Sequence, residues 1–392
     1  MPDSEQPPAS GPLADVKVLD LASVVAAPGA ARHMADFGAD VIKVEPPGGD
    51  ATRSLGWARD GDDDSLFWKL ISRGKRCVVI DLKSEAGVER LLRLAAGADV
   101  LIENMRPGKL ERLGLGPDVL LARNPRLVVV RVTGFGQSGP YAQHAGFATS
   151  AEAVGGYAAL CGTPDGPPLL PPVALTDEVT GIGAAFAALA AVHHARRTGE
   201  GQVVDINLLE CTLQLMGPLP AAYAHLGYEQ PRLGSGLPYS TPRGTYRCAD
   251  GVWVAISTTA ETIARRVLRL LGVDADPRFA SSRSRGEHRD ELDALLGAWV
   301  AERDSADVLE RFREVEAAIA PVNSMAGVFA DPHVRDRGLL QEVDGVCMQR
   351  PIAQLSRTPT GVRWAGRALG ADDAEILGDP EPTVEPTAPG GA

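Results

Sequence analysis

The stretch VKVLDLASVVAAPGAARHMADFGADVIKVEPP (residues 16–47) decides the fold class, because it holds two apolar runs separated by a helical segment. The runs 16–22 and 40–47 have the length of buried strands, and the second run ends at two prolines. Residues 27–39 predict a helix that begins near a proline and ends at a glycine. A strand, a helix and a second strand in this order are typical of a parallel sheet.

The same alternation continues along the chain. Further strands are predicted at 76–82, 99–105, 127–135 and 202–210, and further helices at 84–98 and 176–201. This pattern predicts an α/β domain whose parallel sheet is covered on both faces. Ligands of such sheets bind beyond the carboxyl ends of the strands. We therefore expect a site in the loops ASVVAAP, EPPGGD, ENMRPG and GFGQSGP.

The second half of the chain has a different organisation. Residues 217–245 are dense in Pro and Gly and predict a linker into another unit. A hairpin over 244–257 and helices near 260–272, 288–303 and 305–317 follow, and they predict a smaller α+β domain. The Pro-rich, acidic ends of the chain, 1–11 and 375–392, are expected to be disordered tails.

Composition excludes several classes of protein. The net charge is −12 and no long basic run occurs, which argues against nucleic acid and against an anionic membrane as partners. The first residues lack the apolar core of a signal peptide, and the most apolar helical stretch, 181–192, is too short to span a membrane. Five separated cysteines form no CxxC pair, so neither disulfides nor a metal site is expected. A cytoplasmic location follows from these observations.

The residues alone leave the chemistry open. The sequence after the first strand contains no GxGxxG, which argues against a hydride-transferring enzyme of the usual dinucleotide-binding kind. Basic residues in the stretch 73–76 and around Arg106 and Lys109 could hold phosphates or could be ordinary surface charges. Asp177 opens a long helix, where an acidic residue is usually a first-turn charge that complements the helix dipole.

Six segments of the chain occur in the order typical of one enzyme family. They are LADVKVLDLASVVAAPGAARHMADFGADVIKVEPPGGDATR, SRGKRCVVIDLKSEAG, ADVLIENMRPGKLERLGLG, NPRLVVVRVTGFGQSGPY, ALTDEVTGIGAAFAALAAVHHARRTGEGQVVDINLLE and IAPVNSMAGVFADPHVRDRG. Through them the chain resembles, from about Leu13 to about Val362, the class III CoA-transferase family. That family includes formyl-CoA transferase, carnitine CoA-transferase and, as a divergent branch, α-methylacyl-CoA racemase.

The resemblance implies a particular domain arrangement. A Rossmann-like large domain would comprise residues 12–216 together with a C-terminal return over 335–370, and the linker and small domain would comprise 217–334. Two subunits of this family thread through each other, so an interlocked homodimer is implied.

It also implies the roles of individual residues. The motif that carries the family's catalytic carboxylate is matched by ALTD, so Asp177 would attack the thioester, form an aspartyl-acyl anhydride and then an aspartyl-CoA thioester. Acyl-CoA and a carboxylic acid would be substrates, with no metal and no tightly bound cofactor. The contacts to coenzyme A would fall on Ser23, Val24, Val25, Ala26, Ser72, Lys75, Arg76, Asn104, Met105 and Arg112.

Departures from the family pattern shape the choice among its activities. Pro46 stands where several relatives have an arginine that stacks on adenine, and Arg53 or Arg73 would have to replace it. Phe147 and Ala148 replace the His-Asp pair of the racemase branch and suggest an apolar substrate pocket. This loss of a second acid/base favours a transferase. The alternatives are a 2-methylacyl-CoA racemase or epimerase and a non-catalytic homologue that only binds CoA esters.

Overall fold

The computed structural model describes residues 11–378, and the predicted termini 1–10 and 379–392 lie outside the described residues. The strands are β1 Lys17–Asp20, β2 Asp40–Glu45, β3 Lys75–Val79, β4 Val100–Glu103, β5 Val128–Thr133, β6 Gln202–Asn207, β7 Arg243–Arg247, β8 Trp253–Ser257, β9 Ala318–Pro321, β10 Leu340–Val343 and β11 Val346–Gln349. The helices are α1 Ala26–Asp36, α2 Leu66–Ile71, α3 Glu85–Ala95, α4 Lys109–Arg112, α5 Pro117–Arg123, α6 Ala148–Val154, α7 Tyr157–Leu160, α8 Leu175–Thr198, α9 Leu208–Leu215, α10 Leu219–Leu226, α11 Glu261–Leu270, α12 Ser282–Glu287, α13 Arg289–Ala301, α14 Ser305–Glu314, α15 Met325–Ala330, α16 Pro332–Asp336 and α17 Asp373–Leu377.

The first six strands form one sheet in the order β3-β2-β1-β4-β5-β6. Every neighbouring pair is parallel, as in the register Leu19 with Ile42 on one side of β1 and Leu19 with Leu101 on the other. The predicted α/β fold class, with a parallel sheet in a Rossmann-like order, is therefore confirmed. The strand order reverses between β1 and β4, so a crevice opens beyond their carboxyl ends.

Successive strand residues point to opposite faces of the sheet and build two apolar layers. On β5, Val128 and Val130 belong to the layer beneath α1 and α8, whereas Val129 belongs to the layer beneath α3 and α5. The first layer is rich in alanine, which lets helices approach the strands closely. This explains why a chain with only 5% aromatic residues can fill such a core.

Helix α8 packs directly on α1. A Cβ added to Gly181 would lie 2.9 Å from the carbonyl oxygen of Ala26, so the two helices touch through backbone at this point. By length and composition α8 could span a membrane, contrary to the sequence-based expectation, but 44% of its most apolar window is buried inside the protein. Its packing on α1 and β5 is that of a core helix.

The C-terminal part of the described chain returns to the sheet, and the prediction of disorder is wrong for residues 375–378. β3 is an edge strand whose free N–H groups need acceptors. Cys77 N donates to Asp372 Oδ2 at 2.7 Å, and Val79 N donates to Asp373 Oδ1 at 2.8 Å. Asp372 and Asp373 thus cap the edge of β3, and Asp373 begins α17.

The contacts divide the chain into two units. One comprises the chain up to Gly155, Pro171–Leu215 and the chain from Gly338 onward. The other comprises Gly156–Leu170, which sequence analysis placed in the large domain, and Met216–Arg337.

The second unit contains the antiparallel sheet β7-β8-β9 with α11, α13 and α14 around a core that includes Val254, Ile256 and Phe312. The interlocked homodimer concerns a second copy of the chain and stays a prediction.

Candidate active site

A cavity of about 270 Å³ lies at the carboxyl ends of β1, β4 and β5, next to the start of α8. Eight residues that the sequence analysis assigned to the site line it, namely Ser23, Val24, Val25, Ala26, Asn104, Met105, Phe147 and Asp177. The structure thus brings the proposed nucleophile and the first loop together although they are far apart in sequence.

Asp177 is the third residue of α8 and is only partly exposed. Burial raises the pKa of its carboxyl to about 6, and the negative charges of Glu152 and Glu178 raise it further. A carboxylate with a raised pKa is still mostly ionised at neutral pH, and it is a stronger nucleophile than an ordinary surface aspartate.

Glu178, the next residue, ties α8 to α1. Its Oε1 accepts a hydrogen bond from Arg32 Nη2 at 2.5 Å and lies 3.0 Å from His33 Nε2. The bond to His33 and the charge of Arg32 lower the pKa of Glu178 to about 2. The two adjacent carboxyls therefore have opposite shifts: Glu178 is held as an anion by α1, while Asp177 faces the cavity without a cationic partner among the described residues.

The first loop has an unusual backbone. Val24 has φ of 70°, a left-handed conformation that is rare for a β-branched residue. Next to it, the N–H groups of Val25 and Ala26 at the start of α1 have no acceptor in the described part of the chain. Two backbone donors without an intramolecular acceptor therefore belong to residues that line the cavity.

The loop after β4 is held in place by buried charge. Glu103 Oε2 accepts from the backbone N of Met105 at 2.6 Å, and Glu103 Oε1 accepts from Arg131 Nε at 2.7 Å. Gln143 Nε2 donates to the carbonyl of Pro107 at 3.3 Å, which joins the loop after β5 to the loop after β4.

Two further residues line the cavity: Arg106, which sequence analysis named only as a possible phosphate contact, and His144. The His144 ring stacks on Tyr141 with centroids 5.0 Å apart. For Arg106 a signal was present, because ENMRPG was already recognised as a strand-end loop.

A second cavity, of about 450 Å³, lies beside the first and shares with it Ser23, Asn104, Met105 and Arg106. The rest of the second cavity is lined by Lys83, by Lys109 and by residues 80–82, which follow the carboxyl end of β3, among others. The four shared residues place the two cavities side by side at the carboxyl ends of the strands.

The structure corrects three of the predicted coenzyme A contacts, Ser72, Lys75 and Arg76. They precede or open β3 and so lie toward its amino end, away from both cavities. Lys75 is fully buried, and its Nζ donates to Asp20 Oδ2 at 2.7 Å.

Ser72 is also fully buried, and Arg76 is paired with Asp40 at 2.6 Å. Residues 80–83, which follow β3, line the second cavity instead of these three residues. Lys83 follows the carboxyl end of β3 and could have been proposed by the same strand-end rule that predicted the loop ENMRPG.

Other predicted residues also lie outside the two cavities. Arg53 forms two bonds with Glu45, at 2.7 and 2.8 Å, and Arg73 is buried against Asp36, so neither is free to stack on adenine. Ala148 opens α6 just behind Phe147, and Arg112 lies in α4 near the second cavity without lining it.

Among residues 11–378, no group of three or more His, Cys, Asp or Glu side chains is arranged to hold a metal ion. The described site therefore consists of one carboxylate, free backbone donors and flanking cations.

Comparison with known proteins identifies the class. Residues 13–373 match the model of CoA-transferase family III, and the chain belongs to this family, as its sequence motifs indicated. It is a CoA-transferase by family.

The relatives are similar over nearly their whole lengths. The chain is 39% identical over 385 residues to succinyl-CoA–D-citramalate CoA-transferase of Chloroflexus aurantiacus, covering 96% of this chain and 95% of the relative. It is 39% identical over 381 residues to the β subunit of succinyl-CoA–L-malate CoA-transferase of the same organism, covering 93% of each. A CAIB/BAIF family protein from Brucella suis has a solved structure with a TM-score of 0.83 at 33% identity, covering 94% of this chain and 99% of that one.

Proposed function

We propose that this protein transfers coenzyme A from a short acyl-CoA thioester to a carboxylic acid, with Asp177 as the nucleophile. The observation that carries the proposal is the position of Asp177 in the wall of a cavity that lies beside a second, lysine-lined cavity. A thioester carbonyl placed in the first cavity lies within reach of a carboxylate that no described cation neutralises.

The chemistry proceeds in four acyl transfers. The Asp177 carboxylate attacks the thioester carbonyl, the C–S bond breaks, and the thiolate leaves behind a mixed anhydride. The thiolate then attacks the aspartyl carbonyl and expels the donor acid, which gives an aspartyl-CoA thioester. The acceptor carboxylate attacks this thioester to form a new anhydride and thiolate. The thiolate finally attacks the acceptor's acyl carbon, which yields the new acyl-CoA and restores Asp177.

Each step develops negative charge on a carbonyl oxygen, which backbone donors stabilise. The free N–H groups of Val25 and Ala26 line the same cavity as Asp177 and have no competing acceptor in the described chain. The strained Val24 backbone, with φ of 70°, supports such a role because strain of this kind persists where the surrounding structure imposes it.

The second cavity supports binding of the nucleotide part of coenzyme A. Lys83 and Lys109 line it and form no ion pair with another described residue, so both can meet phosphate charge. The first cavity, at about 270 Å³, is slightly smaller than typical ligand pockets of about 300–1,000 Å³, which favours a short acyl group. Both relatives named above act, by their names, on succinyl-CoA.

The test is direct detection of the intermediates. Purified protein is incubated with succinyl-CoA, digested and analysed by mass spectrometry, with and without hydroxylamine. We expect a coenzyme A adduct on Asp177 that hydroxylamine converts to a hydroxamate, and no adduct in Asp177→Asn. Transfer that survives in Asp177→Asn would contradict the proposal. Deuterium uptake at the α-carbon of a 2-methylacyl-CoA, without an acceptor acid, would indicate a racemase instead.

A further inference from the structure

The cavity beside Asp177 contains an arginine and a histidine that the transfer chemistry does not use. Its ionisable lining residues are Asp177, Arg106 and His144. Both the arginine and the histidine side chain are exposed to the cavity rather than buried in the protein. An apolar acyl chain would gain nothing from either of them.

Neither group has a partner of its own. In residues 11–378, the Arg106 guanidinium and the His144 ring form no ion pair and no hydrogen bond with another side chain. They also do not lower the pKa of Asp177, which is shifted upward by burial, Glu152 and Glu178. They are therefore available to bind a ligand and do not neutralise the charge of Asp177.

Two buried cations at this edge of the sheet are already neutralised. Arg131 is bound by Glu103 and Glu111, each at 2.7 Å, and Lys43 is bound by Asp50 at 3.0 Å. Arg106 is unpaired like Lys83 and Lys109, but unlike those two lysines it also lines the first cavity, beside Asp177.

The loops that carry Arg106 and His144 are fixed to each other. Gln143 donates to the carbonyl of Pro107, so the residue before His144 is bonded to the residue after Arg106. Stacking on Tyr141 further holds the His144 ring. A guanidinium and an imidazole on joined loops form a preorganised set of donors for an anion.

We propose that Arg106, assisted by His144, binds the second carboxylate of a dicarboxylic substrate while its first carboxyl group reacts at Asp177. This inference rests on the proposed function and specifies its substrate class. The donor would be a CoA thioester with a free carboxylate at the far end of a short acyl chain. The acceptor would be a dicarboxylic acid that binds in the same orientation.

Arg106 also lines the second cavity, so a contact with the phosphates of coenzyme A is the competing explanation. Two donors with the same coenzyme A part separate the explanations. Succinyl-CoA has the distal carboxylate, whereas butyryl-CoA has a methyl group in its place. Loss of a contact to phosphate would lower kcat/KM equally for both donors. Loss of a contact to the distal carboxylate would lower kcat/KM only for succinyl-CoA.

The experiment measures kcat/KM for both donors with acetate as a common acceptor, in the wild type, Arg106→Gln, His144→Gln and Lys109→Gln. In Arg106→Gln we expect kcat/KM for succinyl-CoA to fall about 10- to 100-fold, the range of a charge-assisted hydrogen bond. Turnover of butyryl-CoA should stay within about threefold of the wild type. His144→Gln should show a smaller loss in the same direction.

Lys109→Gln is the matched control, because this residue lines only the second cavity. Lys109→Gln should lower kcat/KM for both donors by the same factor. Equal losses for both donors in Arg106→Gln, or an unchanged rate with succinyl-CoA, would overturn the carboxylate assignment and leave the transferase proposal standing. Wild-type protein that transfers coenzyme A from neither donor would instead refute the proposed function.

Discussion

Ser23 and Asn104 exchange two hydrogen bonds across the point where the strand order of the sheet reverses. Ser23 N donates to Asn104 Oδ1 at 3.0 Å, and Asn104 Nδ2 donates to the Ser23 carbonyl at 2.7 Å. This reciprocal pair joins the loop after β1 to the loop after β4. Both residues line both cavities, so the pair sets the distance between the two walls of the site.

Asn104→Ala should therefore impair catalysis more than folding. Loss of both hydrogen bonds frees the loop that presents Val25 and Ala26, and a misplacement of about 1 Å can cost about 100-fold in rate. We expect kcat/KM to fall at least about tenfold, while the free energy of unfolding falls by about 1 kcal/mol. Steady-state kinetics and urea denaturation measure the two quantities.

The matched control for this change is Asn124→Ala. Asn124 Nδ2 also donates two bonds, to the carbonyls of Ala95 and Ala98, but it lies just before β5, at the amino end of the sheet. Its loss should lower stability to a similar extent and leave kcat/KM unchanged. Equal kinetic losses in the two variants would show that the Ser23–Asn104 pair has no special role.

Asp177→Asn should stabilise the protein above pH 6 in the absence of substrate. The folded-state pKa of about 6 exceeds the ordinary value of 3.8, so the protonated acid favours folding, and ionisation disfavours it as the pH rises through 6. The asparagine removes this cost. The gain should be at most about 3 kcal/mol at pH 8, less because of partial exposure, and close to zero below pH 3.8. Thermal unfolding at pH 3.5 and pH 8 tests it, and a pH-independent difference would contradict the assigned pKa.

Glu152→Gln should lower the pKa of Asp177. Glu152 is buried at 3% exposure, and its negative charge opposes ionisation of Asp177. In the variant, the acidic limb of the pH profile of kcat/KM should move to lower pH. Activity at pH 5 relative to pH 8 should rise by at most about tenfold, which corresponds to one pKa unit. Glu200→Gln, an exposed change beyond the other end of α8, should leave the profile where it is.

Glu178→Gln should destabilise the contact between α8 and α1. It leaves the Arg32 guanidinium, whose side chain is 8% exposed, without a carboxylate, which costs about 1–3 kcal/mol. Because the pKa of Glu178 is lowered from 4.5 to about 2, the loss should be complete above pH 4.5 and fade as the pH falls toward 2.

Glu111→Gln provides the comparison for Glu178→Gln. Glu111 has a similar exposure, 41%, and also binds a buried arginine, but Arg131 keeps Glu103 as a second partner. The destabilisation of Glu111→Gln, measured by urea denaturation, should therefore be the smaller of the two. The reverse order would show that Arg32 does not depend on Glu178.

The large parallel sheet could be predicted because its signals are local. Each strand is a short apolar run, and each loop at a carboxyl end contains residues that break strands. The loop ENMRPG, which contains Asn104, was predicted in this way, and Lys83 could have been proposed by the same rule. Lys75 was assigned through the family resemblance, but it is the first residue of β3, and the strand direction puts it at the opposite edge of the sheet.

The sequence by itself determined the fold class and the family, since these depend on periodicity and on motifs that are contiguous in the chain, and one of those motifs is the basis for proposing Asp177 as the nucleophile. Tertiary structure alone decided which charges are free. Lys75 is neutralised by Asp20, 55 positions away, and Arg53 contacts the Arg367 carbonyl, 314 positions away, whereas Arg106 remains open to the cavity. The physical reason is that a charge becomes available to a ligand only when no opposite charge packs against it. That packing is set by contacts between segments that the sequence keeps far apart.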